Sequence, residues 1–386
     1  KKIRMKKIYT ALGLMSGTSM DGVDASIIQT DCESNYETIL DKYYQYDDNL
    51  HGELTSLRAK INNLEDLKIF SNETKLIERK ITLFHAEVVK KILNETELEI
   101  DFIGFHGQTI YHNADNKISK QLGDGKLLSQ LTRKKVIYYF RQNDIKNGGQ
   151  GAPLTPIFHS MLANKFNLAP SIILNIGGIV NATTIWETGS FLATDIGPGM
   201  CLIDKWIRLN SKKRYDENGD IAALGKISNN LNFELDKFYR NEKKTPKKNY
   251  IKSFDISDFD ISFVQGLSLA DGAATLTEYT VKIIFHYFLY IIEVTKNMNN
   301  NPVIILCGGG RKNNLLVERL KKELRINFKN YDIVKMIDDY GIDGDFVESQ
   351  AFGYLAVSSY LKLPISFPDT TRCKEPSTGG VLVKNY

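Results

Sequence analysis

Three glycine-rich turns, each following a strand-like apolar run, constrain this 386-residue chain more than any other feature of it. The first is GLMSGTSMDGVD at 13–24, between YTALGLM and VDASIIQT, whose alternating apolar residues read as a hairpin opening a sheet. Glycine backbone lets N–H groups approach phosphate oxygens, the hydroxyls of Thr18 and Ser19 add donors, and Asp21 and Asp24 can hold Mg²⁺ directly or through water. No GK[ST] follows, so this is not a Walker loop, and taken alone it is also what a plain polar turn looks like. The second turn, DIGPGM at 195–200, leaves a strand and enters the apolar run CLIDKWI. Gly197 and Gly199 ahead of a helix N-terminus make an anion site, with Asp195 beside it as a base or metal partner, or else a simple strand-to-helix turn. The third, CGGGRKNNLL at 307–316, follows the strand PVIILC. Gly308, Gly309 and Gly310 offer bare backbone on which a purine or ribose can pack, before a helix that begins near Asn313.

The rest of the chain supplies two α/β lobes around these turns. Its length fits two packed domains, and 42% hydrophobic with 25% charged residues is ordinary globular composition. Ile77, Ile81, Phe84, Val88 and Ile92 recur every three or four residues, which predicts one apolar stripe on a helix over 71–95. IDFIGFHGQTIYH at 100–112 reads as a buried strand leaving into a functional loop, and KKVIYYF at 134–140 as another strand. Thr155 and Pro156 cap and start a helix carrying Phe158, His159 and Leu162. Runs at 171–178, 181–186 and 190–199 suggest a second mixed sheet, with helices at about 200–210, 266–297, 313–327 and 345–361. The lobe boundary is placed near residue 130, giving lobes of 1–130 and 131–364, with the tail 365–386 returning to the first. His85, His159 and His286 lie on apolar helical faces and read as core histidines.

Several functions are excluded at this stage. A net charge of +4, with basic clusters only in KKIRMKK at the start and KKTPKK at 243–248, is too little for a nucleic-acid groove. Cys32, Cys201, Cys307 and Cys373 form no CxxC pair, so neither a zinc ribbon nor a dithiol motif is present, and reduced thiols in the cytoplasm are the simplest reading. The start of the chain is unlike a signal peptide, and the most apolar stretch, Ile283 to Ile292, falls short of the ~20 residues of a membrane span.

The order of the three turns matches the nucleotide clamp of the actin, hexokinase and acetate-kinase superfamily. Nine ordered segments go further: GLMSGTSMDGVD, GFHGQTIYH, NDIKNGGQGAPLTPIFH, LNIGGIVNAT, TDIGPGMCLID, YDENGDIAALG, LSLADGAATLT, CGGGRKNNLL and DDYGIDGDFVESQAFGYLA resemble the anhydro-N-acetylmuramic acid kinase family along nearly the whole chain. The resemblance implies a two-lobed, ribonuclease H-like fold, each lobe a mixed sheet flanked by helices, with ATP and sugar in the cleft between lobes that close over them. It implies a phosphotransferase with an alcohol acceptor, in which ATP, Mg²⁺ and water open the anhydro bridge of 1,6-anhydro-N-acetylmuramic acid and phosphorylate O6. Carried onto this sequence, Gly17, Thr18, Ser19, Met20, Asp21, Gly22, Val23 and Asp24 form the ATP phosphate and metal loop, joined by Gly197, Gly199, Gly308, Gly309, Gly310 and Asn313. The base falls on Asp195, and His106, Gln108, Thr109 and Glu348 fall on the sugar side. His106 capping a strand end and Glu348 on a solvated helix face are the structural alternatives. Tyr139, where the family carries Asp, Met200, where Asn is frequent, and Ile256, where Arg is usual, are departures that bear on sugar contacts. Two rivals therefore stand beside the kinase: one acting on another anhydro-sugar such as levoglucosan, and a silent ATP- or sugar-binding sensor. Neither nucleic acid nor membrane is expected as a partner, and a homodimer is left open.

Overall fold

The computed structural model describes residues 7–243, 253–294, 302–328 and 333–386. Most of KKTPKK, most of KKIRMKK and the last residues of the helix expected at 266–297 lie outside them. Twelve strands occur among the described residues: β1 Tyr9–Ser16, β2 Gly22–Thr30, β3 Tyr36–Gln45, β4 Phe102–Asn113, β5 Ile118–Leu122, β6 Val136–Tyr138, β7 Ser171–Ile176, β8 Ile179–Ile185, β9 Phe191–Pro198, β10 Val303–Cys307, β11 Val334–Met336 and β12 Val381–Val383. They build two sheets in two compact units, Lys1–Lys165 with Phe346–Tyr386, and Phe166–Asp345.

The two sheets repeat one plan. In the first unit β1, β2 and β3 form an antiparallel meander, and β4 then β6 add in parallel on the other side of β1, giving the order β12-β6-β4-β1-β2-β3 with β5 on β4. In the second unit β7, β8 and β9 form the meander and β10 then β11 add in parallel, giving β11-β10-β7-β8-β9. The expected strands at 171–199 and 302–307 are the centre of this second sheet.

Each sheet is covered by helices whose apolar stripes the sequence carries. In the first unit, Leu50, Leu54 and Leu57 of the helix Asp48–Lys60 and Ile77, Ile81, Val88 and Ile92 of the helix Ser71–Glu95 join Leu12, Leu14, Val23, Ile27, Ile103 and Phe105 in one core. Full burial of each such side chain contributes ~1.5–3 kcal/mol over leaving it exposed. In the second unit, Val281, Ile284 and Phe288 of the helix Leu269–Val294 and Leu316 and Leu320 of the helix Asn314–Asn327 pack with Ile172, Leu174, Val180 and Ile304.

The division between units differs from the lobe boundary expected near residue 130. Val136 and Ile137 of β6 pair with Ile103 and Gly104 of β4, and the helix Pro156–Lys165 also belongs to the first unit. So does the helix Val347–Tyr360, which packs on β1, β2 and β4. Its reason is a groove made by two glycines that are partners in register, Gly13 and Gly104. A Cβ on Gly13 would stand 1.8 Å from the Ser349 carbonyl, and one on Gly104 would stand 2.2 Å from that of Phe352.

Three local expectations are also corrected. The run 100–112 does not leave into a loop: β4 continues to Asn113 because β5 pairs with its second half. The strand expected at 134–140 is only three residues long, ending where Tyr139 takes φ +57. His85 and His159 are buried as expected, but His286 is exposed, its ring stacked on Tyr239 at 4.1 Å. All four cysteines are buried thiols. No helix among the described residues is long and apolar enough to cross a membrane.

Candidate active site

The first unit holds the hairpin turn between β1 and β2 through side chains. The Ser16 hydroxyl, 1% exposed at the end of β1, donates to Gln108 Oε1 at 2.6 Å or to the Gly22 carbonyl at 2.8 Å and lies 2.8 Å from the Tyr46 hydroxyl. Gln108 Nε2 donates in turn to the Gly17 carbonyl at 3.0 Å. Gln108, expected on the sugar side, is therefore a buried brace that ties β4 to the turn. Thr18 and Ser19 are exposed at the tip, with the Ser19 hydroxyl donating to Asp21 Oδ1 at 2.6 Å. Met20 and Val23 are in the core, so only their backbone faces the turn. Gly17 has open space where a Cβ would go. No three His, Cys, Asp or Glu side chains converge among the described residues, and Asp21 and Asp24 are the carboxylates flanking the turn. Mg²⁺ carried by a nucleotide commonly takes one or two protein carboxylates and completes its shell with phosphate and water, so this donor set fits it.

β4 carries a bulge at the expected sugar-side residues. Its register with β1 slips between Leu14–Phe105 and Ser16–Gln108, leaving His106 and Gly107 opposite Met15. Bulges re-aim side chains and are common beside active sites. His106 is buried, with Nδ1 2.7 Å from the Gly107 carbonyl and Nε2 2.8 Å from Arg141 Nη2. Because guanidinium only donates, Nε2 accepts, and the proton sits on Nδ1, where it is donated to Gly107. Burial, and then the Arg141 charge, hold His106 well below the ordinary imidazole range, so it is neutral. Thr109 is half-buried, its hydroxyl accepting from Gln121 Nε2 at 3.1 Å. Glu348 opens the helix Val347–Tyr360 and is half-buried, not on a solvated face. Burial pushes its carboxyl up while Arg141 pulls it down. Arg141 therefore bonds to His106 and acts by its charge on Glu348, a role that sequence reading missed.

The second unit places Asp195 on β9 opposite Asn181, with Ile196 bulged out before Gly197 pairs with Val180. Asp195 Oδ2 accepts the Phe254 backbone N–H at 2.8 Å, which fixes the orientation of the carboxylate. The anion site expected at the following helix, Cys201–Asn210, lacks its first donors. The Gly199 and Met200 N–H groups donate to Gly178 O and Gly177 O at 2.9 Å each, and that of Cys201 to Gly178 O at 3.2 Å. Gly199 serves this docking, since a Cβ there would stand 2.3 Å from the Gly177 carbonyl. The Thr280 hydroxyl closes the turn from the helix Leu269–Val294, 3.1 Å from both Pro198 O and Gly199 O.

The GGG turn is anchored the same way. Cβ atoms on Gly308 and Gly310 would stand 2.3 Å from Asn175 Oδ1 and 2.2 Å from Ile176 Cγ2, whereas Gly309 faces open space. Asn313 is 3% exposed and caps the helix Asn314–Asn327, its Oδ1 accepting from Leu316 N at 3.0 Å, while its Nδ2 has no hydrogen-bond partner among the described residues. Arg311, also unread in the sequence, pins the turn: it donates to both oxygens of Asp338 at 2.7 and 2.8 Å and to Asp345 Oδ1 at 2.5 Å.

Two sheets of one order in a single chain, each with a bulged strand beside its candidate residues, define the actin and hexokinase class of ATPase fold, with ribonuclease H-like halves. Within that class the chain belongs to the anhydro-N-acetylmuramic acid kinase family, whose model matches residues 9–385. An anhydro-N-acetylmuramic acid kinase of Pelagibacter ubique is 53% identical over 388 residues, covering 99% of this chain and all of the relative. That of Agrobacterium fabrum is 38% identical, covering 98% of this chain and 100% of its own. That of Rhizobium johnstonii is 37% identical, covering 98% and 99%.

Proposed function

We propose that this chain is a cytoplasmic kinase of cell-wall recycling that converts 1,6-anhydro-N-acetylmuramic acid, ATP and water to N-acetylmuramic acid 6-phosphate and ADP. The observation that carries the mechanism is the Asp195 carboxylate, presented by a bulged strand and held by the Phe254 N–H. Asp195 takes a proton from water as the water oxygen bonds to the anomeric carbon. The bond from that carbon to O6 breaks, and O6, carrying the released electron pair, attacks the γ-phosphorus as ADP leaves. No side-chain nucleophile is needed, because the ring opening makes its own.

The turn Gly17–Asp21 receives the nucleotide phosphates through its backbone N–H groups and the hydroxyls of Thr18 and Ser19. Asp21 and Asp24 hold Mg²⁺ directly or through water, and the ion neutralises phosphate charge when bound. Gly309 and the neighbouring Asn313 lie on the adenosine side, where the Nδ2 of Asn313 offers a donor. Thr109 and Glu348 contribute acceptors toward sugar hydroxyls. His106 and Gln108 act through what they hold, since their polar atoms are already bonded within the protein.

The test is ADP release with the anhydro-sugar and Mg²⁺-ATP, comparing the native chain with Asp195→Asn. Asp195→Asn is expected to cut kcat by roughly a hundredfold or more with the KM for ATP nearly unchanged. Equal turnover in both proteins removes Asp195 as base, and no turnover by the native chain removes the reaction.

A further inference from the structure

The segment NDIKNGGQGAPLTP at 143–156 has no part in the mechanism so far, yet it is built around two charged side chains. Asp144 is 1% exposed; its Oδ2 accepts the Gly151 N–H at 2.7 Å and its Oδ1 accepts the Thr371 hydroxyl at 2.5 Å. Gly149 passes so close that a Cβ on it would lie 2.2 Å from Oδ2. On the other side of the same residue, the Gly151 carbonyl accepts from Arg141 Nη1 at 2.7 Å. Gly151 is thus gripped at both ends, by a carboxylate at its nitrogen and a guanidinium at its oxygen. Arg141 reaches on to His106 Nε2, at 2.8 Å from Nη2 and 3.3 Å from Nε, and its charge acts on Glu348.

We propose that Arg141 recognises the carboxylate of the sugar, and that Asp144, through Gly151, is the positioning residue that fixes the guanidinium for it. The proposal rests on the kinase reading above, because His106 and Glu348 mark the sugar side only within that reading. Charge complementarity carries it. The acid sugar brings a negative charge, His106 is neutral, Glu348 cannot attract an anion, and Arg141 is the cation that is hydrogen-bonded to His106 and acts on Glu348 by its charge. Guanidinium also offers the planar geometry that carboxylates pair with, and Arg141 is half-buried, where such a pair is screened less than at an open surface. A neutral anhydro-sugar such as levoglucosan gains nothing from that charge.

Steady-state kinetics of Arg141→Lys, Arg141→Met and Asp144→Asn on both sugars provide the test, with a methyl ester of the acid sugar as a probe of the native chain. Each variant should raise the KM for the acid sugar roughly ten- to hundredfold, the usual worth of a charged hydrogen bond, with Arg141→Lys the mildest. The KM for ATP should stay within about twofold, and the preference for the acid sugar over levoglucosan should shrink in step. A purely structural brace gives a different result: loss of folded enzyme scales kcat for both sugars alike and leaves KM in place, which overturns the proposal. The ester needs no mutation, so it reports even if a variant fails to fold. Native enzyme that uses the ester as well as the acid also overturns the proposal. A native chain that turns over neither sugar strikes the kinase reading itself and takes the proposal with it.

Discussion

The two units share a strand order and differ in how they hold their turns. In the first unit side chains do it: Gln108 and Ser16 brace the β1–β2 turn, and the Asp31 carboxylate accepts the N–H groups of Glu33, Ser34 and Asn35 at 2.9–3.0 Å in the β2–β3 turn. Within the meander of the second unit backbone does it. The β7–β8 turn is only Gly177–Gly178, its carbonyls dock the N–H groups of 199–201, and the β8–β9 turn closes through Trp186 N to Ser190 O at 2.9 Å. A turn braced from its flanks can expose its tip, as Thr18 and Ser19 are exposed. The Gly177–Gly178 turn, backbone packed on backbone, is half-buried and sets a neighbouring strand instead. One plan has thus been used once to present a loop and once to fix a carboxylate.

If this contrast is real, the largest effect belongs to Gly199→Ala. Its Cβ meets a carbonyl on a second backbone that has no side chain to rearrange, so a loss of about 3 kcal/mol in urea unfolding is expected, with kcat falling as Asp195 shifts. A tolerated alanine would show that the docking is soft. Gln108→Ala comes next, at roughly 1–2 kcal/mol, because Ser16 and Gly17 lose buried partners. The KM for ATP should rise with it, and a stability loss without that rise would detach the brace from the nucleotide.

Asp31→Asn should cost less, about 1 kcal/mol at neutral pH. Burial raises the Asp31 carboxyl, but the N–H groups of Asn35, Glu33 and Ser34 outweigh it and hold the group at about 2, below its ordinary 3.8. A depressed carboxyl stabilises above its unfolded value, so the gap between native and variant should be full above pH ~4 and close as pH falls toward 2. A gap that does not change with pH would mean the charge is irrelevant. The smallest effect is expected from Gly17→Ala: within about 0.5 kcal/mol in stability, since nothing lies within 4 Å, but with weaker ATP binding because the loop tip gains a side chain. Unchanged ATP affinity would mean that phosphate does not approach Gly17.

What the sequence made legible was periodicity and punctuation. The hairpin β1–β2, the helix Ser71–Glu95, the meander β7–β9 and the helix Leu269–Val294 all carry strong apolar patterns ended by glycine or polar turns. β3 was missed because YETILDKYYQ puts charges and half-exposed tyrosines where a buried strand would be apolar. β12 was missed because three residues, two of them exposed, have no local signal, and only pairing with Val136–Tyr138 makes them a strand. The same limit applied to the site. Asp195 and the hairpin glycines stood inside motifs, but the bonds from Gln108 to Ser16 and from Arg141 to Gly151 join residues that local pattern does not connect. Gly199 was read for a phosphate, when the nearer need was a carbonyl of its own chain.

The helix lying in the groove of Gly13 and Gly104 has a consequence in time. It comes from residues 347–360, after the whole second unit has been made, although it covers strands that precede that unit in the chain. Until that helix is made, the face of the sheet formed by β1, β2 and β4 lacks its cover. The helix 347–360 is therefore what covers that face of the first unit, and a nascent chain halted before it would present bare strands to chaperones.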